Sequence, residues 1–159
     1  MEQRIVTVGY GDVQKVNIGG TLPLAFVGGP CAIEDRDHAM FMAESIAEIC
    51  EKLDIPWIYK SCYDKDCRSS PKSFHGVGID EGLKILSEVR ETFKVPVVSD
   101  FSDASWAAAT GEVCDMVQVP AYLCRQTSIL RAAAATNRPI LLKKGQFMSP
   151  WNMKNSCRK

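Results

Sequence analysis

The chain has 159 residues, 46% of them apolar, and its 19 Lys and Arg balance 19 Asp and Glu. That length suits one domain on the usual scale of roughly 100–200 residues each. A formal charge of zero excludes a strongly basic nucleic-acid binder and an acidic disordered tail, so any cationic site must be local. The opening Met1-Glu2-Gln3-Arg4-Ile5-Val6 lacks the apolar run of a secretory signal. No stretch approaches the ~18 apolar residues of a membrane span. Cys31, Cys50, Cys62, Cys67, Cys114, Cys124 and Cys157 form no CxxC pair. Reduced thiols and a cytoplasmic location are expected, with neither nucleic acid nor membrane as partner.

In chain order, Ile5–Val8 and Val16–Ile18, separated by Gly9 and Gly11, predict a β-hairpin. Leu24–Val27 is a short apolar run ended by Gly28-Gly29-Pro30, the pattern of a buried strand and a turn. Apolar residues then recur every three or four positions from His38 to Leu53, an amphipathic helix with Asp37 as its expected N-cap. Pro56–Tyr59 predicts a second strand, and Ser61 to Gly78 a long polar loop. Asp80 begins a helix that aligns Leu83, Leu86, Val89 and Phe93. Val95–Val98 predicts a third strand, and Ser102 or Asp103 caps an alanine-rich helix ending near Gly111. Asp115–Val119 is a strand stopped by Pro120, Thr127–Thr136 a helix, and Pro139–Leu142 a fifth strand. Ser149-Pro150 has the form of an N-cap with proline at the first helical position. Continuous apolar strands alternating with amphipathic helices imply an α/β fold with a parallel sheet.

Ligands of such sheets gather at the C-terminal ends of the strands. Here those ends carry Cys31 and Glu34, then Lys60, Asp64, Lys65, Arg68, Ser69 and Ser70, then Asp100, then Gln118, Arg125 and Gln126, then Lys143, Lys144 and Gln146. Cations concentrated at one end of a neutral protein suit anionic groups such as phosphates. A single lysine at a strand end is ordinarily solvated. Lys60 and Lys143 each follow three apolar residues, and a buried lysine there would need an anionic partner. Taken alone, Cys31 reads as a small packed thiol before it reads as a ligand, Asp100 as a helix cap, and His38 and His75 as solvated side chains.

Gly28-Gly29-Pro30-Cys31-Ala32-Ile33-Glu34 resembles the first-strand motif of enzymes that condense phosphoenolpyruvate with an aldose phosphate. Lys60-Ser61-Cys62-Tyr63-Asp64-Lys65-Asp66-Cys67-Arg68-Ser69-Ser70 is similar to the KxSFDKANRSS segment of the 3-deoxy-D-manno-octulosonate 8-phosphate synthases. Gln118 to Thr127 is similar to their QxPAFLxRQT, and Lys143-Lys144-Gly145-Gln146-Phe147 completes the set. The related DAHP synthases carry a shorter Lys-Pro-Arg-Thr version of the second motif.

The resemblance implies a partial TIM (β/α)₈ barrel, its first five βα units preceded by the hairpin. Residues 1–20 would form the arm and residues 21–159 the incomplete barrel domain. A complete barrel takes ~250 residues. An open sheet with two unclosed edges and an unfilled interior is therefore expected to be unstable alone, or to associate.

The resemblance also implies the reaction: phosphoenolpyruvate, D-arabinose 5-phosphate and water give the octulosonate phosphate plus phosphate. That product leads to a sugar of bacterial envelopes and plant cell walls. Lys60, Lys65 and Asp100 would be catalytic. Lys60, Lys65, Lys143 and the backbone at Ala121 would hold phosphoenolpyruvate. Arg68, Ser69 and Arg125 would hold the sugar phosphate, Asp100 sugar hydroxyls, and Gln118 would line the site. Cys31 would ligate a divalent transition metal, with the remaining ligands on later strands. A homo-oligomer, a tetramer in the family, is implied as well.

Three departures from the family pattern fall on positions that would serve the site: Cys67 replaces Asn, Ser102 stands where a His follows the third strand, and His75 replaces Arg. The rival readings are DAHP-type condensation with erythrose 4-phosphate, and a truncated non-catalytic product that at most binds a phosphorylated ligand or a partner subunit.

Overall fold

A computed structural model describes residues 4–159. Residues 1–3, at the start of the expected arm, lie outside the described residues. Two strands, β1 (Val6–Val8) and β2 (Val16–Ile18), pair antiparallel with Thr7 opposite Asn17. The remaining strands are β3 (Phe26–Gly28), β4 (Trp57–Lys60), β5 (Val97–Asp100), β6 (Met116–Val119) and β7 (Ile140–Leu142). They form one parallel sheet in chain order, curled into half a barrel. The helices between them are α1 (Arg36–Lys52), α2 (Ile79–Phe93), α3 (Ala107–Val113) and α4 (Thr127–Ala135), with a short α5 (Met153–Ser156) after β7.

The order of elements agrees with the sequence pattern, but several boundaries move. Asp35, not Asp37, caps α1, its carboxylate accepting from the His38 backbone N–H at 2.8 Å. The third strand runs two residues later than its apolar run, so Ser99 and Asp100 are strand residues with buried side chains. Apolar patterning ends strands where polarity begins, whereas hydrogen bonding carries this one into a polar layer. Asp103 caps a 3-10 turn, Ala104–Trp106, that leads into α3. Pro150 opens another such turn behind Ser149. Ile49 and Leu53 share the apolar spacing of α1, yet both are mostly exposed.

Alternation along the strands builds two apolar layers. Trp57, Tyr59, Val97, Val117 and Val119 face the helices and join their core, with Leu86, Val89, Ile129 and Ala133. Ile58, Val98 and Met116 face the concave side and cluster with Val8 and Val16 of the hairpin. The interior is therefore not empty at its N-terminal end, because the hairpin plugs it.

Asp115 fixes that plug. It is buried, and its carboxylate accepts from Arg90 Nε and Nη2 at 2.9 and 3.1 Å, from the Tyr10 N–H at 3.0 Å and from the Val97 N–H at 3.0 Å. The Tyr10 ring lies between the Arg90 and Arg138 guanidiniums, 4.1 and 3.7 Å from its centre. Removing one partner from a buried charge cluster is among the costlier substitutions. Asp115→Ala should cost about 3 kcal/mol in urea unfolding; a loss below about 1 kcal/mol would show that the hub is dispensable.

Both sheet edges, β3 and β7, are unpaired among the described residues, and Leu24, Phe26 and Ile140 are exposed there. Such edges recruit other strands. Sedimentation velocity across a dilution series should show concentration-dependent association. A single monomeric boundary at all concentrations, with a cooperative melt, would overturn that expectation.

Candidate functional site

Two residues beyond the concave apolar layer, the same alternation turns polar. Ile58 is followed at that spacing by Lys60, Val98 by Asp100, Met116 by Gln118, and Leu141 by Lys143. Strand pairing sets Asp100 opposite Gln118 and Lys60 opposite Val98. Next to them Gly29 crosses the Lys60 carbonyl so closely that a Cβ would lie 2.3 Å from its oxygen. Only glycine lets the chain after β3 approach β4 this tightly.

Lys60 Nζ lies 3.1 Å from Asp100 Oδ1 and 3.0 Å from Cys62 Sγ. Cys62 in turn donates its thiol hydrogen to Asp100 Oδ1. Lys65 Nζ approaches the same sulfur at 3.6 Å and also lies within hydrogen-bonding reach of Cys31. The lysine side chain is 20% exposed and the aspartate 11%. Lys60 has the anionic partner that its burial requires.

Burial works against the charge of Lys60, but Asp100 and Cys62 outweigh it and hold the ammonium above the usual lysine range. Burial likewise opposes ionisation of Asp100, and Lys60 and the Cys62 hydrogen bond outweigh it, holding the carboxyl below its ordinary value. Lys65 is raised too: burial lowers it, while Cys62 and Asp100 raise it by more. Cys62 is pushed up, first by burial and then by Asp100, so it remains a neutral thiol.

The loop from Ser61 to Gly78 is held in place rather than loose. Tyr63 reaches into the helix-side core, where its hydroxyl meets Thr110 Oγ1 at 2.8 Å and its ring stands edge-on to Trp106. The Lys65 N–H donates to the His75 carbonyl at 2.6 Å and the Gly78 N–H to the Tyr63 carbonyl at 3.0 Å. Between them Gly76, at φ 130°, sits so close to the Tyr63 carbonyl that a side chain would collide with it. A cleft of about 360 Å³ opens beside this loop. Lys65, Cys67, Arg68, Asp100, Ser102 and Tyr122 are among the residues that line it.

Of the residues singled out in the sequence, Lys60, Lys65 and Asp100 converge, and Arg68 shares their cleft. Gln118 is buried beside Asp100 in register, and Ala121 is buried in the turn after β6. Ser69 is exposed on the loop next to Arg68. Lys143 is exposed, not buried, because β7 is an edge strand with no neighbour on its far side. Arg125 is exposed beside Tyr122 and Phe147 in a separate, shallower depression.

The histidines are not simply solvated. His38 Nδ1 is buried without a partner, and His75 Nδ1 lies 3.7 Å from Asp64 Oδ1. Cys31 is exposed at the rim. Among the described residues no three His, Cys, Asp or Glu side chains gather as a metal would need. These residues alone do not make a metal centre.

Cys62 is the residue that the sequence reading passed over. Counting by twos from Ile58 through Lys60 reaches it, and the Ala32–Cys62 bridge shows that the pairing continues that far. Cys50 and Cys114 are packed thiols, with Cys114 pushed up to about 12 by burial.

A family model described as the DAHP synthetase I family matches residues 5–159. The chain belongs to this family, whose model spans both the hairpin and the half-barrel. Similar proteins include the 2-dehydro-3-deoxyphosphooctonate aldolase of Rickettsia rickettsii (strain Sheila Smith), 50% identical over 143 residues. That match covers 90% of this chain and 52% of the relative. The protein of the same name from Rickettsia bellii (strain OSU 85-389) is 46% identical over 147 residues, covering 92% of this chain and 54% of its own length. The chain spans about half the length of the curated relatives it matches. Among the described residues, no helix is long and apolar enough to cross a membrane.

The charge pair carries a pH signature. The depressed Asp100 contributes stability above the ordinary carboxylate pKa, roughly 4, and loses it as pH falls below. The elevated Lys60 contributes below the ordinary lysine value, roughly 10.4, and loses it as pH rises beyond. Asp100→Asn should therefore cost about 2 kcal/mol near neutrality, discounted from a fully buried pair for its partial exposure. In urea unfolding the difference from wild type should be level from roughly pH 5 to 9 and shrink at pH 3. A difference independent of pH would sink the assignment.

Proposed function

We propose that this chain carries part of an octulosonate 8-phosphate synthase site, with groups for both phosphoenolpyruvate and the sugar phosphate. The parent reaction joins C3 of phosphoenolpyruvate to the aldehyde carbon of arabinose 5-phosphate. Water adds at C2, and phosphate leaves with cleavage of its C–O bond. One observation carries the reading: two ammonium groups, Lys60 and Lys65, meet at Cys62 beside Asp100, and Lys65, Asp100 and Arg68 line one cleft. The relatives' shared name, 2-dehydro-3-deoxyphosphooctonate aldolase, supports it.

Fixed cations stabilise charge that grows in a transition state without reorganising. Lys60 and Lys65 would hold the carboxylate and phosphate of phosphoenolpyruvate, and Ala121 would add its backbone. Both hydrogen bonds on Asp100 fall on Oδ1, which leaves Oδ2 for a sugar hydroxyl. Gln118 would orient the substrate beside it. Arg68 and Ser69, on the exposed side of the cleft, would take the sugar phosphate, with Arg125 and Lys143 farther along the rim. Cys31 enters only as one ligand of a divalent transition metal, completed by residues outside this chain. The proposal includes a cytoplasmic, homo-oligomeric parent in Kdo biosynthesis, the route to lipopolysaccharide.

In a complete parent barrel, phosphate should be released from phosphoenolpyruvate only when arabinose 5-phosphate is added. Release with erythrose 4-phosphate instead would favour DAHP-type chemistry. For the 159-residue chain itself, calorimetric titration with phosphoenolpyruvate should show binding that Lys65→Ala weakens at least about tenfold, a lost charge-assisted contact. Binding by the chain without turnover would fit the non-catalytic alternative. Binding unaffected by Lys65→Ala would defeat the proposal.

A further inference from the structure

Cys62 has no role in the reaction as proposed, yet it holds the middle of the charged cluster. Its sulfur accepts from Lys60 Nζ at 3.0 Å and lies 3.6 Å from Lys65 Nζ, while its hydrogen goes to Asp100. Lys60 also reaches Asp100 directly, so the three groups close a ring in which each touches the other two. The thiol is fully buried, and the cleft begins beyond it at Lys65 and Asp100.

We propose that Cys62 is the positioning residue of this anion site, a neutral junction that aims both ammonium groups and the carboxylate. The physical argument rests on charge. Lys60 and Lys65 repel each other, and Asp100 can compensate one ammonium fully but not hold two in fixed directions. An acceptor between them gives each ammonium a defined direction. A donor toward Asp100 keeps that carboxylate from swinging onto the ligand side. One atom that accepts and donates at once meets both needs, as a thiol or hydroxyl can and a methyl cannot.

A thiolate would neutralise the second lysine and weaken the site for anions. A buried neutral thiol leaves the net positive charge intact. Reagents that attack exposed thiols should reach Cys31, Cys67 and Cys157 before Cys62, since those three are exposed.

This inference rests on the phosphoenolpyruvate reading only for its ligand, and two readouts separate them. The first is the ¹⁵N ammonium resonance of Lys60, visible by NMR only where acceptors slow its exchange with water. It should be present in the wild-type chain and in Cys62→Ser, and lost in Cys62→Ala. The second is calorimetric binding of phosphoenolpyruvate, which Cys62→Ser should keep within about threefold and Cys62→Ala should weaken about tenfold, as for a lost hydrogen bond to a charged group. A purely structural role would instead lower the melting temperature of both variants and leave the ammonium signal of the folded fraction unchanged. An ammonium signal that persists in Cys62→Ala, or is missing in the wild type, overturns the proposal. If the signal follows the thiol but the wild type binds no phosphoenolpyruvate, the positioning role stands and the ligand assignment falls.

Discussion

A lysine cannot sit on the inner face of a sheet without a counter-charge, and that constraint organises the functional end of this protein. Lys60 has Asp100 at 3.1 Å on the neighbouring strand. Asp100 can occupy that place because β5 continues past its apolar run. The pair is only partly shielded, so its contribution to stability is modest. Its larger consequence is directional. With Lys60 tied back to Asp100 and Cys62, Lys65 is the ammonium nearer the open cleft. The fold thus sets one cation deeper and the other at the cleft, within one motif.

The opposite end of the same sheet solves the opposite problem. A half-barrel exposes its concave apolar face, and here Val8 and Val16 of the hairpin cover Ile58, Val98 and Met116. The hairpin is too small to hold that position by apolar burial alone. Asp115 supplies the missing specificity by binding Tyr10, Arg90 and the start of β5 together. Tyr10 between two guanidiniums then aligns the turn with α2 and the loop after α4. Two buried carboxylates, Asp100 and Asp115, thus anchor the two ends of one sheet. Only Asp100 borders an open cleft.

Much of this was legible in the sequence. Apolar runs and helical spacing located every strand and helix that lines the site. The convergence of Lys60, Lys65 and Asp100 followed from the strand-end rule together with the family motifs. What escaped had physical causes. Polarity hid the last two residues of β5, since a pattern search ends a strand at the first polar side chain. Lys143 resembles Lys60 locally, and only its place on an edge strand leaves it exposed. Asp115 opens an apolar strand and carries no local mark of the distant Tyr10 and Arg90 that it binds. Cys62 was overlooked because cysteine in an apolar context is ordinarily packing.

The departures from the family motifs acquire meaning from where they fall. Cys67 and Ser102 both line the cleft, and His75 stands beside Asp64 on the loop after β4. None of the three belongs to the ring formed by Lys60, Cys62 and Asp100. In the proposed reading the ring's ammonium serves phosphoenolpyruvate, whereas Cys67 and Ser102 line the cleft in which the sugar would lie. Replacing a ring nitrogen by a hydroxyl at position 102 and an amide by a thiol at position 67 exchanges strong hydrogen-bonding groups for smaller or weaker ones. Such changes loosen recognition of a polyhydroxylated chain, yet leave the charges that hold an anion untouched. These three changes fall outside the ring, whose own difference from the motif is Cys62 in place of a serine, an exchange that keeps one atom able both to accept and to donate.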